Sequence, residues 1–361
     1  MNERILLILP CCIGDVVMAT ATLRALRRGF PQAHITWAVG GWARRAIEGH
    51  PDLDAILDTG PDDLPVRTPA SMMSFVRQIR AGKYTHLVSL VRSPLMSVAA
   101  MLTGVPIRVG LDSDGRGFGY TIRVPINPTE ARLEGDIYLE TAAALGLDIN
   151  DCWANLPLTA AQEMDLQTLR AQHGIDERYL VIHPGGGSNP GMEMDLKRWP
   201  SAWFAQVGAA LTSHLHAQLV LIGGPNDANL IEAMRKALPS TVPFVTLPPL
   251  TFSQVSILAA EALIYVGNDT GMTHLAAASG AHTVAIFGPS DPQRYAPFVP
   301  GTLVLWEPTL VPANGVASGA VSEWTWNEDG IGPNEALEQI VWYMERTGIS
   351  SYSSSQPPLE G

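Results

Sequence analysis

Charge and cysteine are what this sequence has least of. Asp, Glu, Lys and Arg make up only 16% of its 361 residues, and cysteine occurs three times. Cys11, Cys12 and Cys152 are odd in number and two of them adjoin. They therefore make no disulfide framework and point to a reducing, cytoplasmic setting. No Cys/His spacing suits a structural zinc, so no metal is expected. No apolar run approaches the ~18 residues of a spanning helix. The N-terminus has no basic region or cleavage signal before its first apolar run, which argues against a signal peptide. Basic charge is also scarce: the net charge of −12 excludes nucleic acid as the main partner.

What is abundant is apolar sequence, 46% of the chain. That fits large buried sheets, and the length suggests about two domains of roughly 150–180 residues. The charge is uneven. Residues 1–160 carry 15 basic and 16 acidic side chains, whereas the remainder carries 8 and 19. The arginine-rich first half suits an anionic acceptor, although a plain solvated surface accounts for it as well.

One grammar occurs twice: apolar strand, glycine-containing loop, helix. In the first half, strands are expected at 4–9, 34–39, 54–57 and 86–90, with helices at 15–28 and 71–81. The pattern restarts with strands at 179–183, 218–222, 262–266 and 283–287, alternating with helices at 201–211, 228–237 and 270–279. Such alternation implies α/β structure with parallel, doubly wound sheets. The domains are expected at 1–165 and 166–332, followed by a helix at 333–347 packing back toward the N-terminal domain and a disordered tail at 348–361.

Four segments lie where a strand ends, the place where open α/β sheets bind ligands. In Cys11-Cys12-Ile13-Gly14-Asp15, Gly14 permits a tight turn and Asp15 stands at a helix start. A carboxylate there can act as general base, although aspartate is also an ordinary helix cap. His183-Pro-Gly-Gly186-Gly-Ser188-Asn189, followed by Lys197-Arg198, combines a potential backbone anion nest with positive charge. It is not a Walker A loop. Asp269-Thr270-Gly271-Met-Thr-His274 opens an alanine-rich helix whose free N–H groups suit a phosphate. Asp269 is expected to face sugar hydroxyls, because a carboxylate sits badly beside phosphate. Phe287-Gly288-Pro289-Ser290-Asp291-Pro292 reads as a rigid loop, either a pocket wall or a structural turn.

In this order, Gly14-Asp15, His183-Pro-Gly with Lys197-Arg-Trp-Pro200, Asp269-Thr-Gly-x-x-His274 and Phe287-Gly-Pro-Ser-Asp-Pro292 resemble glycosyltransferase family 9, the lipopolysaccharide heptosyltransferases. The resemblance spans residues 4–300. It implies a GT-B fold, two Rossmann-like domains facing each other across a cleft. It further implies metal-independent, inverting transfer from a nucleotide-sugar such as ADP-heptose to a glycan or glycolipid acceptor, with no cofactor and with room for contact at the inner membrane face. Asp15 then matches the catalytic base, and Lys197 the lysine that neutralises the donor phosphates. Gly186, Ser188, Asn189, Asp269, Thr270, Gly271 and His274 line the donor side, and Gly14, Gly288 and Pro289 shape loops or the acceptor side. Cys11-Cys12, the stretch 191–196 and the tryptophans Trp306, Trp324 and Trp326 depart from the family pattern. They keep two alternatives open: a different sugar and acceptor, or a non-catalytic nucleotide-sugar-binding protein. An oxidoreductase is the weaker alternative, because no Gly-x-Gly-x-x-Gly follows the first strand.

Overall fold

The computed structural model describes residues 3–60, 65–189, 192–307 and 324–349. Residues 350–361 of the tail expected at 348–361, and the middle of the tryptophan-rich segment, lie outside the described residues. The chain divides into two compact units, residues 1–157 with 293–300 and residues 158–292 with 301–361.

The first unit begins with β1 (Arg4–Ile8), α1 (Ile13–Met18), α2 (Thr20–Gly29), β2 (His34–Val39) and β3 (Ala55–Asp58). It continues with α3 (Pro69–Gly82), β4 (His86–Ser89), α4 (Pro94–Thr103), β5 (Ile107–Ser113), β6 (Ile122–Ile126) and α5 (Glu134–Ala143). The six strands form one parallel sheet in the order β3-β2-β1-β4-β5-β6. Ile5, Leu6, Leu7 and Ile8 are fully buried, as a central strand covered on both faces requires. Leu6, Ile8 and Leu87 pack with Phe75, Val76 and Ile79 of α3 and with Met96, Ala99 and Ala100 of α4. Burial of each such aliphatic side chain contributes about 1.5–3 kcal/mol before chain entropy is subtracted. The helix expected over 15–28 is two helices. At the break the Thr20 hydroxyl donates to the Val17 carbonyl (2.7 Å) and accepts the Asn155 N–H (2.9 Å), so it competes with the helical ladder.

The second unit opens with α6 (Ala160–His173), β7 (Tyr179–His183), a small hairpin of β8 (Ser188–Asn189) and β9 (Met192–Glu193), and α7 (Ser201–Leu215). There follow β10 (Gln218–Leu221), α8 (Ala228–Ala237), β11 (Phe244–Thr246), α9 (Phe252–Ala260), β12 (Tyr265–Asn268), α10 (Gly271–Ala278) and β13 (Thr283–Ile286). The short α11 (Pro292–Tyr295), β14 (Leu303–Leu305), α12 (Trp326–Asp329) and α13 (Pro333–Thr347) complete the described chain. Its parallel sheet runs β11-β10-β7-β12-β13-β14. This repeats the strand order of the first unit: third, second, first, fourth, fifth, sixth.

Two boundaries differ from expectation. The division falls at Pro157 rather than near 165, and residues 293–300 rejoin the first unit. There Phe298 fills the space left by the absent side chain of Gly135, accepts the Ala154 N–H at its carbonyl and meets the Trp153 ring. The helix expected to pack toward the N-terminal domain instead buries Ala336, Ile340 and Met344 in the second unit's core with Leu211 and Leu305. That apolar stripe at helical spacing needs a hydrophobic partner, and α7 with β14 supplies one. No helix among the described residues is long and apolar enough to cross a membrane.

Candidate functional site

In each sheet the strand order reverses beside its first strand, between β1 and β4 and between β7 and β12. Ligands of open α/β sheets settle outside the strand ends at such a reversal. Three of the four singled-out segments begin there, after β1, β7 and β12; the fourth follows β13, next to β12.

In the first unit Asp15 is the third residue of α1. Its Oδ1 accepts the Tyr138 hydroxyl at 2.8 Å, and its Oδ2 receives the Cys12 N–H at 3.4 Å. Cys12 is the residue that caps the helix. Gly14 corrects the reading that gave it a tight turn: it lies within α1 and its backbone is not left-handed. Cys11 and Cys12 are linked to each other by a disulfide across a cis peptide bond, which ties no two elements together, and Cys152 is free and buried.

Around this carboxylate stands an ion cluster. Glu134, buried at the start of α5, receives a two-pronged bond from Arg92, with Nη1 to Oε1 at 3.1 Å and a second, shorter bond from Nη2 to Oε2. Arg294 Nη2 reaches Oε1 at 3.1 Å. Burial raises the Asp15 carboxyl above its usual range, the Tyr138 hydrogen bond opposes this, and the charge of Glu134 adds to the rise. Burial and the neighbouring Asp15 hold the Tyr138 phenol well above its usual value, so it stays a donor. A carboxyl with a raised pKa beside a strand end suits proton abstraction.

In the second unit Lys197 Nζ lies 2.5 Å from Asp269 Oδ2, and the Ser290 hydroxyl donates to the same oxygen at 2.6 Å. Asp269 therefore faces a cation and a hydroxyl within its own unit. Asn268, fully buried, accepts the Trp199 N–H and donates to the carbonyls of Pro184 and Gly185. One side chain thus holds the glycine-rich loop against the strand end. The far side of the loop is held by Asp227, whose carboxylate accepts the N–H groups of Gly186 (3.1 Å) and Gly224 (2.7 Å). It also lies 3.5 Å from His183 Nε2. Burial works to raise the Asp227 pKa, but His183 and the two N–H groups outweigh it and pull the value down to about 2.

Gly186 has φ +97°, and a Cβ there would fall 2.1 Å from the Thr270 methyl. Only glycine lets the loop lie this close to the start of α10. Thr270 caps that helix with its backbone alone. Its buried hydroxyl has no hydrogen-bond partner among the described residues. Gly271 is the first residue of α10, and the His274 N–H donates to the Thr270 carbonyl, so His274 sits buried in the first turn. Arg198, read alongside Lys197 as phosphate-binding charge, turns to the loop instead: its Nε donates to the Gly186 carbonyl at 2.8 Å and it pairs with Asp195. Gly288 leaves room for the Leu196 carbonyl and the Trp326 ring, and Pro289 beside it is buried. Ser188 and Asn189 form β8, but their side chains lie outside what is described. Among the described residues no three His, Cys, Asp or Glu side chains are grouped to hold a metal ion.

The structure thus joins Lys197 to Asp269 and Gly186 to Thr270, and it adds Tyr138, Glu134, Arg92, Arg294, Asp227 and Ser290. Ser290 was legible as part of a singled-out motif. The others carry no local signature, because their partners are distant in sequence.

The family model for glycosyltransferase family 9 (heptosyltransferase) matches residues 72–313. Lipopolysaccharide heptosyltransferase 2 of Escherichia coli K12 is 26% identical over 311 residues, covering 81% of this chain and 85% of that protein. A family 9 glycosyltransferase from Veillonella parvula superposes with a TM-score of 0.78 at 20% identity, over 96% of this chain and 98% of that one. The Escherichia coli ADP-heptose lipopolysaccharide heptosyltransferase II gives 0.72 at 20% identity, over 96% and 100%. The two parallel six-stranded sheets and these likenesses establish the GT-B class of fold.

Proposed function

Because the chain belongs to glycosyltransferase family 9, we propose that this enzyme transfers a heptose from ADP-heptose to a saccharide acceptor such as the lipopolysaccharide inner core, with inversion. The observation that carries the chemistry is Asp15, a carboxyl of raised pKa held by Tyr138 at the end of β1. The donor assignment is supported by the family and by the Escherichia coli relative named for ADP-heptose.

The step is an in-line displacement. The acceptor oxygen forms a bond to the anomeric carbon while the bond from that carbon to the diphosphate oxygen breaks. Asp15 takes the hydroxyl proton, and ADP departs with the bonding electrons. The leaving diphosphate gains charge as the bond breaks. Lys197, the Thr270 hydroxyl and the free N–H groups at the start of α10 receive it. Such preorganised donors are worth about 3–4 kcal/mol each in the transition state. Asp269 and Ser290 fix the lysine, while Asn268 and Asp227 fix the glycine loop, so the donor side is set before substrate arrives. No divalent cation takes part, since Lys197 and the helix supply the countercharge. The arginine-rich first unit receives the anionic acceptor.

The test is nucleotide release from a panel of ADP- and other nucleotide-sugars, with and without candidate glycan acceptors, by wild type and Asp15→Asn. Acceptor-dependent ADP release, lost by a factor of about 100–10,000 in Asp15→Asn while donor binding persists, is the expected result. Near-normal turnover by the variant would remove Asp15 from the role. Release from a different nucleotide-sugar alone would replace the donor. Tight binding of a nucleotide-sugar without turnover by any acceptor would favour a non-catalytic binder.

A further inference from the structure

Cys11 and Cys12 are neighbours in the chain, both half-buried, and their sulfurs are bonded to each other. A disulfide stabilises a fold chiefly by closing a long loop of the unfolded chain, and one between neighbours closes no such loop. The two sulfurs are also less enclosed than that of Cys152, which is buried. The fold therefore gains little from this bond, and its position is what gives it meaning. A disulfide between neighbours makes a small ring that contains the peptide group joining them. The N–H of that peptide group is the Cys12 N–H, which donates to Asp15 Oδ2 at 3.4 Å. Asp15 Oδ1 is occupied by the Tyr138 hydroxyl, so Oδ2 is the oxygen left to receive a proton. One small ring thus contains both the two sulfurs and the donor that holds this oxygen.

We propose that Cys11–Cys12 is a redox modification site that governs how firmly the Cys12 N–H holds Asp15, so that the linked pair damps transfer and the dithiol releases it. This rests on the role proposed above for Asp15. The oxidant is a small-molecule disulfide. One cysteine thiolate attacks a sulfur of that disulfide, forms a mixed disulfide and expels a thiolate. The neighbouring cysteine's thiolate then attacks the protein sulfur of the mixed disulfide and expels the second thiolate. The protein loses two hydrogens and two small thiols are formed; excess thiol runs the exchange backward. While the ring is closed, the bonds flanking its amide cannot turn freely and the N–H stays on Oδ2. A donor fixed on a carboxylate favours the charged form, and this bond does act to lower the Asp15 pKa. Asp15 is then the weaker base, with its remaining oxygen engaged. Opening the ring frees the amide to turn away and leaves Oδ2 for the acceptor hydroxyl. Tyr138, Glu134, Arg92 and Tyr295 also interact with Asp15, but none of them changes with the state of a thiol.

The experiment equilibrates the full-length protein with oxidised or with reduced glutathione and reads linkage, amide exchange and transfer. The tryptic peptide Ile5–Arg24 holds both cysteines, and Cys152 falls in another peptide. Its mass is expected to fall reversibly by two hydrogens, in wild type and in Cys152→Ser but not in Cys11→Ser. Hydrogen exchange at the Cys12 amide should be about tenfold slower in the linked form, the worth of a hydrogen bond to a charged group. Transfer by the linked form should be slower by a similar factor, with the acid limb of its pH–rate profile at lower pH. Cys11→Ser should show the faster rate and the higher limb under both conditions. A pair that does not interconvert overturns the proposal. So does interconversion that moves neither the Cys12 exchange nor the acid limb. Linkage and exchange that respond as expected, in a protein that transfers no sugar in either state, would uphold the hold on Asp15 and remove the transferase reading instead.

Discussion

Tyr138 donates its phenolic hydrogen to Asp15 at 2.8 Å from a helix that begins more than a hundred residues further along the chain. One carboxylate oxygen is thereby fixed, and the other is held only by a longer bond to the Cys12 N–H. The second oxygen is the one with capacity to take a proton. Tyr138 is thus a positioning residue that also opposes the effect of burial on the carboxyl.

Tyr138→Phe should therefore slow transfer about tenfold, the worth of a hydrogen bond to a charged group. It should also move the acid limb of the pH–rate profile. The proposed base, Asp15, would work as a carboxylate, so activity should rise with pH through its pKa; losing the bond that lowers this pKa shifts the limb to higher pH. A fall in rate with an unmoved limb would leave Tyr138 only a packing role.

Lys197→Ala removes the cation beside a buried carboxylate. An uncompensated Asp269 should cost about 3–5 kcal/mol of stability and weaken nucleotide binding. In Lys197→Ala/Asp269→Asn the thermal midpoint should largely recover while nucleotide affinity stays low. Calorimetry of both variants, with and without ADP, separates the two effects. Recovery of affinity in the double variant would show that the lysine serves the fold alone.

Asp227 gives the second unit an acid limit. Its pKa of about 2 lies below the ordinary ~3.9, so ionised Asp227 stabilises the folded state above the ordinary value. That contribution, about 2–3 kcal/mol, is lost as pH falls from about 4 to about 2. Urea unfolding at stepped pH should show the loss. Asp227→Asn should be less stable at neutral pH and nearly flat through that window.

Chelation provides a direct check on the charge balance. On the proposed mechanism, in which Lys197 and the start of α10 neutralise the diphosphate, EDTA should leave the transfer rate unchanged and added magnesium should not raise it. A rate abolished by EDTA and restored by magnesium would assign that charge to a metal.

The central strands, Ile5–Ile8 and Leu180–Ile182 among them, were legible because burial on both faces demands an unbroken apolar run. The loops after them were legible through glycine and aspartate. Two of the outer strands were not: β6 exposes Arg123 and β14 is three residues long, so neither carries a clear period. α5 was missed because Glu134 and Asp136 interrupt its apolar spacing, and its buried glutamate looks like surface until Arg92 and Arg294 are placed beside it. Lys197 and Asp269 were each visible, but their contact was not. Pairing across 72 positions is a property of the sheet order, and no local pattern encodes it.

Residues 293–300 belong to the first unit although the chain on both sides belongs to the second. A fragment ending at residue 157 would therefore lack Arg294, leaving Glu134 with Arg92 as its remaining arginine, and would lack Phe298 over Gly135 and Trp153. The two halves are interleaved in sequence, so one recombination junction cannot exchange either of them whole. A chimaera that exchanges the first unit intact must therefore carry this short return segment along with residues 1–157.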